Sequence, residues 1–138
     1  MPRFVRNGSL ALSLLLFAAC GGSTGPVPQT VEEARALWAS HHLTTYGYIG
    51  SQATFAGSRG PVRVDVSAGQ VTAVTDLTTN TQISKVGWLT IDQLLDLAET
   101  LQPQPVEFDR HFGFPKRVER CCMVDDSGAV YGVSSVST

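Results

Sequence analysis

The chain has 138 residues, 10 of them basic and 12 acidic, for a net charge of −2 with only 16% of positions charged. That weak acidity argues against a nucleic-acid partner, which needs clustered Lys and Arg, and against attraction to an anionic membrane surface. The length suits one domain with one core, and the many Thr, Ser and Val residues suit a β-rich exported protein.

The first segment has three parts. Arg3 and Arg6 carry positive charge before any acidic residue, Leu10 to Ala19 is apolar except for Ser13, and Cys20-Gly21-Gly22 follows. This is the layout of a secretory signal peptide, and the apolar run is roughly half the ~20 residues a spanning helix needs. Phe17-Ala18-Ala19-Cys20 resembles the bacterial lipobox. The resemblance implies cleavage before Cys20 and a lipid on its sulfur, with the chain held to a membrane by two or three acyl chains. The other reading is an ordinary signal peptide with Cys20 as a bystander. Gly21, in place of an aspartate, implies the outer membrane where the organism has one. Removing the first nineteen residues leaves 119 and takes away Arg3 and Arg6, so the mature net charge falls from −2 to −4. Residues 20–29 are rich in Gly, Pro and Ser and read as a flexible tether, leaving 30–138 as the folded domain.

Thr30 and Glu33 form a capping-box pattern before a helix from Val31 to about His41, with Val31, Ala34, Leu37 and Trp38 at helical spacing. Tyr46 to Phe55 reads as a first strand, and Gly57 to Pro61 as a turn. Val62, Val64 and Val66 alternate with Arg63, Asp65 and Ser67 in a second strand, and Val71 to Asp76 forms a third. Leu77 to Leu89 has no clear pattern. Thr90 caps a second helix, Ile91 to about Leu101, with Ile91, Leu94, Leu95 and Ala98 on its buried stripe and Gln93 facing water; Pro103 and Pro105 stop it. Val106 to Asp109, Lys116 to Val124 and Ala129 to Val136 read as the last three strands, linked by turns at Phe112–Pro115 and Asp125–Gly128. The α-βββ-α-βββ order predicts a single α+β domain: an antiparallel sheet of about six strands with two helices on one face.

Several of these pieces recur together in a known family. They are the helix ending Leu37-Trp38, then Tyr46-x-Tyr48, then Val64 to Val71. In the second half follow the Leu94-Leu95 helix, Val106-x-Phe108-Asp109 leading to Gly113-Phe114-Pro115, and the closing Asp125-Asp126-x-Gly128 hairpin. Over roughly Val31 to Val136 the chain resembles a family of small bacterial secreted proteins and lipoproteins classed only as a domain of unknown function. The resemblance implies a fold and an address and no activity. Its members commonly carry a cysteine in the first strand, where this chain has Ser51, Gln52 and Ala53, so no shared disulfide is carried over.

Cys121 and Cys122 are the cysteines left beside Cys20. Neighbouring strand residues point to opposite faces, and adjacent Cα atoms ~3.8 Å apart are closer than the ~4.4–6.8 Å usual for a disulfide. Two free thiols, a vicinal bridge in a distorted peptide and an intermolecular bridge all stay open. His41 and His42 end the first helix and His111 lies in a turn; they read as capping or solvated groups, while the functional reading, His41 or His42 gathered with His111, Asp109 or Cys121 into a metal site, lacks a His-x-x-x-His pair. No cofactor is expected. No Gly-x-Ser-x-Gly elbow is present, and Asp125-Asp126-Ser127-Gly128 lacks the later oxygen ligands of a calcium loop. Tyr46 and Tyr48, beside Trp38 and Trp88, could make an aromatic binding surface, but Trp38 and the two tyrosines read more readily as packed between the first helix and the sheet.

The expectation is a membrane-tethered bacterial envelope lipoprotein, lipidated on Cys20, acting as a non-enzymatic module that binds another envelope protein or component. The alternative is a small hydrolase or metal-dependent enzyme using His111 and Asp109. A redox role for Cys121 and Cys122 is the third reading.

Overall fold

The structure is a computed structural model, and it describes residues 25–100, 105–120 and 128–138. Two helices, α1 (Val31–Ser40) and α2 (Ile91–Thr100), accompany six strands: β1 (Thr45–Thr54), β2 (Gly57–Ser67), β3 (Gln70–Asp76), β4 (Thr81–Gln82), β5 (Arg117–Arg120) and β6 (Ala129–Ser137). The strands form one antiparallel sheet in the order β4-β3-β2-β1-β6-β5. The domain is therefore α+β, as its patterning predicts.

Alternation decides which side of the sheet is dry. Val62, Val64 and Val66 of β2, Val74 of β3, Tyr46 and Tyr48 of β1, and Tyr131 and Val133 of β6 are buried in one cluster with both helices. Register aligns them: Tyr48 pairs with Val64, Tyr46 with Val66, and Val64 in turn with Val74. The helices supply Val31, Ala34 and Trp38 from α1 and Ile91, Leu94, Leu95 and Ala98 from α2. Ile91, Leu94 and Leu95 are fully buried, and each large aliphatic side chain so buried contributes about 1.5–3 kcal/mol. Trp38 meets Tyr46 edge-on, with ring centres 5.0 Å apart.

Both helices start at side-chain caps. Thr30 Oγ1 accepts the Glu33 N–H, and the Glu33 carboxylate reaches one residue further back, to the Gln29 N–H. Pro28 is buried beside α1, so the segment before Thr30 already packs on the domain. At α2 the box is reciprocal: Thr90 Oγ1 accepts from Gln93 N–H and the Gln93 side chain accepts from Thr90 N–H. Gln93 does more than face water. Arg35 of α1 bridges Asp96 and Glu99 of α2 at the surface. Among the described residues no helix is long and apolar enough to cross a membrane.

Three predicted elements are corrected. Gly57 to Pro61 is not a turn but the start of β2, with Gly57, Ser58 and Arg59 paired to Thr54, Ala53 and Gln52. The turn is Phe55-Ala56, and Gly60, at φ +118, sits in a bulge instead of a reversal. The unpatterned stretch after β3 contains the two-residue strand β4. The predicted strand Val106–Asp109 shrinks to one bridge, Phe108 to Pro115, because Asp109 turns the chain at once. The order is thus α-ββββ-α-ββ. The predicted fifth strand starts at Arg117, and its Cys121–Val124 portion lies outside the described residues.

Gly113 ties that turn to α1. It has φ +79, and a Cβ there would collide with the Ala34 carbonyl. Gly69 has φ +72 but open space around it. Gly69→Ala should cost about 1–2 kcal/mol, the left-handed strain alone. Gly113→Ala should cost at least about 3 kcal/mol, because strain and backbone collision add. Urea unfolding of the two variants checks the difference; equal losses would show that the α1 contact contributes nothing.

Candidate functional site

The buried polar groups of the sheet converge on one segment, Gly87–Ile91, which leads into α2. Tyr48 donates from its hydroxyl to the Leu89 carbonyl at 2.6 Å, and the Tyr46 hydroxyl accepts the Ile91 N–H at 3.0 Å. Gln52 Nε2 donates to the Gly87 carbonyl at 3.2 Å, and the Tyr131 hydroxyl reaches the same oxygen at 3.5 Å. The Ile91 N–H belongs to the first turn of a helix and has no partner within it, so the tyrosine satisfies a donor that would otherwise be stranded in the core. Trp88 is buried at the centre of the segment, with an indole N–H that has no partner among the described residues.

Burial pushes the Tyr46 hydroxyl up to about 12, helped by the nearby Asp92 carboxylate, although the Ile91 N–H favours the phenolate. Burial likewise raises Tyr48. These groups are structural: they sit inside, and their partners are backbone atoms. Trp38, Tyr46 and Tyr48 thus belong to the core, as their patterning predicts, and Trp88 joins them.

Among the described residues, no helix covers the opposite face of the sheet. Arg63, Ser51 and Gly132 lie there, between buried neighbours on the same strands, as does Arg117, which precedes buried Val118. Two register shifts meet at its centre, one in the β1–β2 pairing beside Gly50 and one in the β1–β6 pairing between Ile49 and Gly50. Bulges bend strands and re-aim side chains. Here they leave an open groove of about 440 Å³, with Ile49, Ser51, Gly60, Lys116, Gly132 and Ser134 in its walls and floor. A Cβ at Gly132 would stand 2.7 Å from Ser51 Oγ, so the glycine leaves that hydroxyl its place in the groove. Three charge pairs flank it: Lys116 with Glu107, Arg117 with Glu119, and Arg63 with Asp65. Exposed pairs of this kind contribute about 0–1 kcal/mol each and exchange readily.

The sequence candidates fall in three places. Cys20, Cys121 and Cys122 lie outside the described residues, as does most of the Asp125–Gly128 turn. Asp109 and His111 share one turn, where Asp109 Oδ1 accepts the His111 and Phe112 N–H groups at 2.8 and 2.7 Å. His41 joins them from α1, donating from Nε2 to the His111 carbonyl at 2.9 Å. Among the described residues, no three or more His, Cys, Asp or Glu gather as metal ligands. The groove at Ser51 and Gly132 was not read from the sequence. Gly50-Ser51 and Gly60-Pro61 hint at irregular strands, but only the pairing places them side by side.

Residues 30–137 match a family of unknown function, DUF6174. The chain belongs to that family. The match spans most of the chain, both helices and all six strands included, and agrees with the resemblance to a domain of unknown function. No curated protein and no solved structure matches the chain.

The Tyr46 contact sets a measurable expectation. Tyr46→Phe strands the Ile91 N–H and should cost about 1–3 kcal/mol. In the native protein the folded Tyr46 keeps a proton that the unfolded chain releases near pH 10. Stability should therefore be fully present below about pH 10 and decline as pH rises towards 12, less steeply in the Phe variant. Denaturant midpoints across that range check it; parallel curves for the two proteins would contradict the burial argument.

Proposed function

We propose that this is a bacterial envelope lipoprotein, exported, cut before Cys20 and anchored there by lipid, whose domain works as a non-enzymatic binding module. The reading rests on one observation above all: both helices lie on one side of the sheet, and among the described residues the other side is open, with a groove across its bulged centre. An antiparallel sheet tolerates a solvated face, so openness alone is ordinary. The coincidence of two register shifts with side-chain-free floor positions makes this face distinctive. The expected partner is another protein or envelope component seated across Ser51 and Gly132. Support for the address comes from the leader: Arg3 and Arg6, the apolar run, and Phe17-Ala18-Ala19-Cys20.

The hydrolase reading draws on His111 and Asp109, but there Asp109 Oδ1 is committed to two backbone N–H groups. Among the described residues no hydrogen bond links the Asp109 carboxylate to an imidazole, the contact that orients a catalytic base. The turn is well accounted for as a turn.

Two measurements test the proposal. Intact mass of the protein extracted from membranes should show loss of the first nineteen residues plus acyl mass on Cys20, and Cys20→Ser should abolish both acylation and membrane retention. A photo-crosslinking residue at position 51 should capture a partner in membranes that one at Glu32, on the helix side, does not, and Ser51→Trp should block capture at neighbouring positions without loss of fold. Equal capture from both faces, or none at position 51, would sink the binding-face reading and leave the anchoring result standing on its own.

A further inference from the structure

The chain ahead of α1 already belongs to the fold. Pro28 is buried and Val27 half-buried, while Gly25 and Pro26 are exposed. Gln29 is pinned twice: its N–H donates to Glu33 Oε2 at 2.7 Å, and its Nε2 donates to the Val27 carbonyl at 2.9 Å. Residues 25–29 wall one hollow together with Glu33 and Leu37 of α1 and with Arg110. The segment therefore lies alongside the helix and reaches the turn at Asp109.

Two prolines lower the entropic cost of that docking. Each has its φ set by the ring, and the residue before each is held extended, so Gly25 to Pro28 gives up little freedom on folding. The buried Pro28 ring and the Glu33 carboxylate then hold the segment in place.

We propose that Pro26–Gln29 is a strap of the folded domain that holds the end bearing Gly25 against the bilayer in which Cys20 is anchored. The inference rests on the reading of Cys20 as the lipid anchor. Whatever path they take, the five residues from Cys20 to Gly25 span at most about 18 Å, whereas the nine from Cys20 to Gln29 would span up to about 32 Å. Docking of the strap thus removes nearly half of the reach. It also fixes the point, beside the start of α1, from which the tether leaves the domain. The partner of this end of the molecule is the lipid surface itself.

The test uses the protein extracted from membranes in detergent, with intact mass reporting acylation of Cys20 in the same sample. Backbone order parameters of the Val27 and Gln29 amides should lie near about 0.85, and should fall below about 0.6 when Pro28→Gly and Glu33→Ala are combined. Glu33→Gln keeps an acceptor for the Gln29 N–H and should leave them high. Position is then read by energy transfer from a fluorescent residue at exposed Ala36 of α1 to a headgroup acceptor. The vesicles are phosphatidylethanolamine with phosphatidylglycerol. Releasing the strap should lower transfer at least about twofold, and so should four Gly and Ser residues inserted ahead of Gly25 in the docked protein, since both add the same reach. Order parameters below about 0.6 in the parent overturn the inference. With Cys20 acylated, transfer that is unchanged on releasing the strap overturns it as well. A Cys20 without lipid would instead sink the anchor reading and the membrane half of the inference with it, while the order parameters still decide the docking.

Discussion

The fold hangs on the grip of the sheet on Gly87–Ile91. A helix that begins inside a protein brings N–H groups with no helical partner, and the loop before it brings carbonyls; buried and unpaired, each would cost about 1–3 kcal/mol. Tyr46, Tyr48, Gln52 and Tyr131 meet that demand from three rows of the sheet's dry face. Their aromatic and aliphatic parts meanwhile fill the core. α2 is thereby set at a defined height over β1, and its stripe of Ile91, Leu94, Leu95 and Ala98 joins the same core cluster as the valines of β2 and β3. Position α2 wrongly by one residue and both the hydrogen bonds and the packing fail together.

The same strands bear the opposite face. Tyr48 and Gln52 must both point inwards, and the shifts around Gly50 adjust β1 to its two neighbours between them. Irregularity demanded by the two pairings thus appears on the outer face as a groove over Ser51 and Gly132. The proposed binding face is in this sense a consequence of how the core is gripped. A change that relaxed the register to please one side would erase the feature on the other.

Much of the architecture was legible locally because its causes are local. Val62, Val64 and Val66 alternate, Ile91, Leu94, Leu95 and Ala98 recur at helical spacing, and Thr30 and Thr90 announce helix starts through their own hydroxyls. The misread stretches are those where tertiary pairing overrode local chemistry. Gly57 to Pro61 has turn residues but is drawn into β2 by pairing with β1. Val106 to Asp109 alternates like a strand, yet Asp109 closes a turn against Gly113 and Ala34 before a ladder can form.

By itself the sequence determined the weakly acidic balance of the chain, the fold class and the dry residues, since periodicity and capping act over a few neighbours. Only the tertiary structure decided that Tyr46 and Tyr48 serve α2, that Ser51 lies over Gly132, and that His41 meets His111. Each of those contacts joins residues forty or more positions apart, and a one-residue change in register would dissolve it while leaving every local pattern intact.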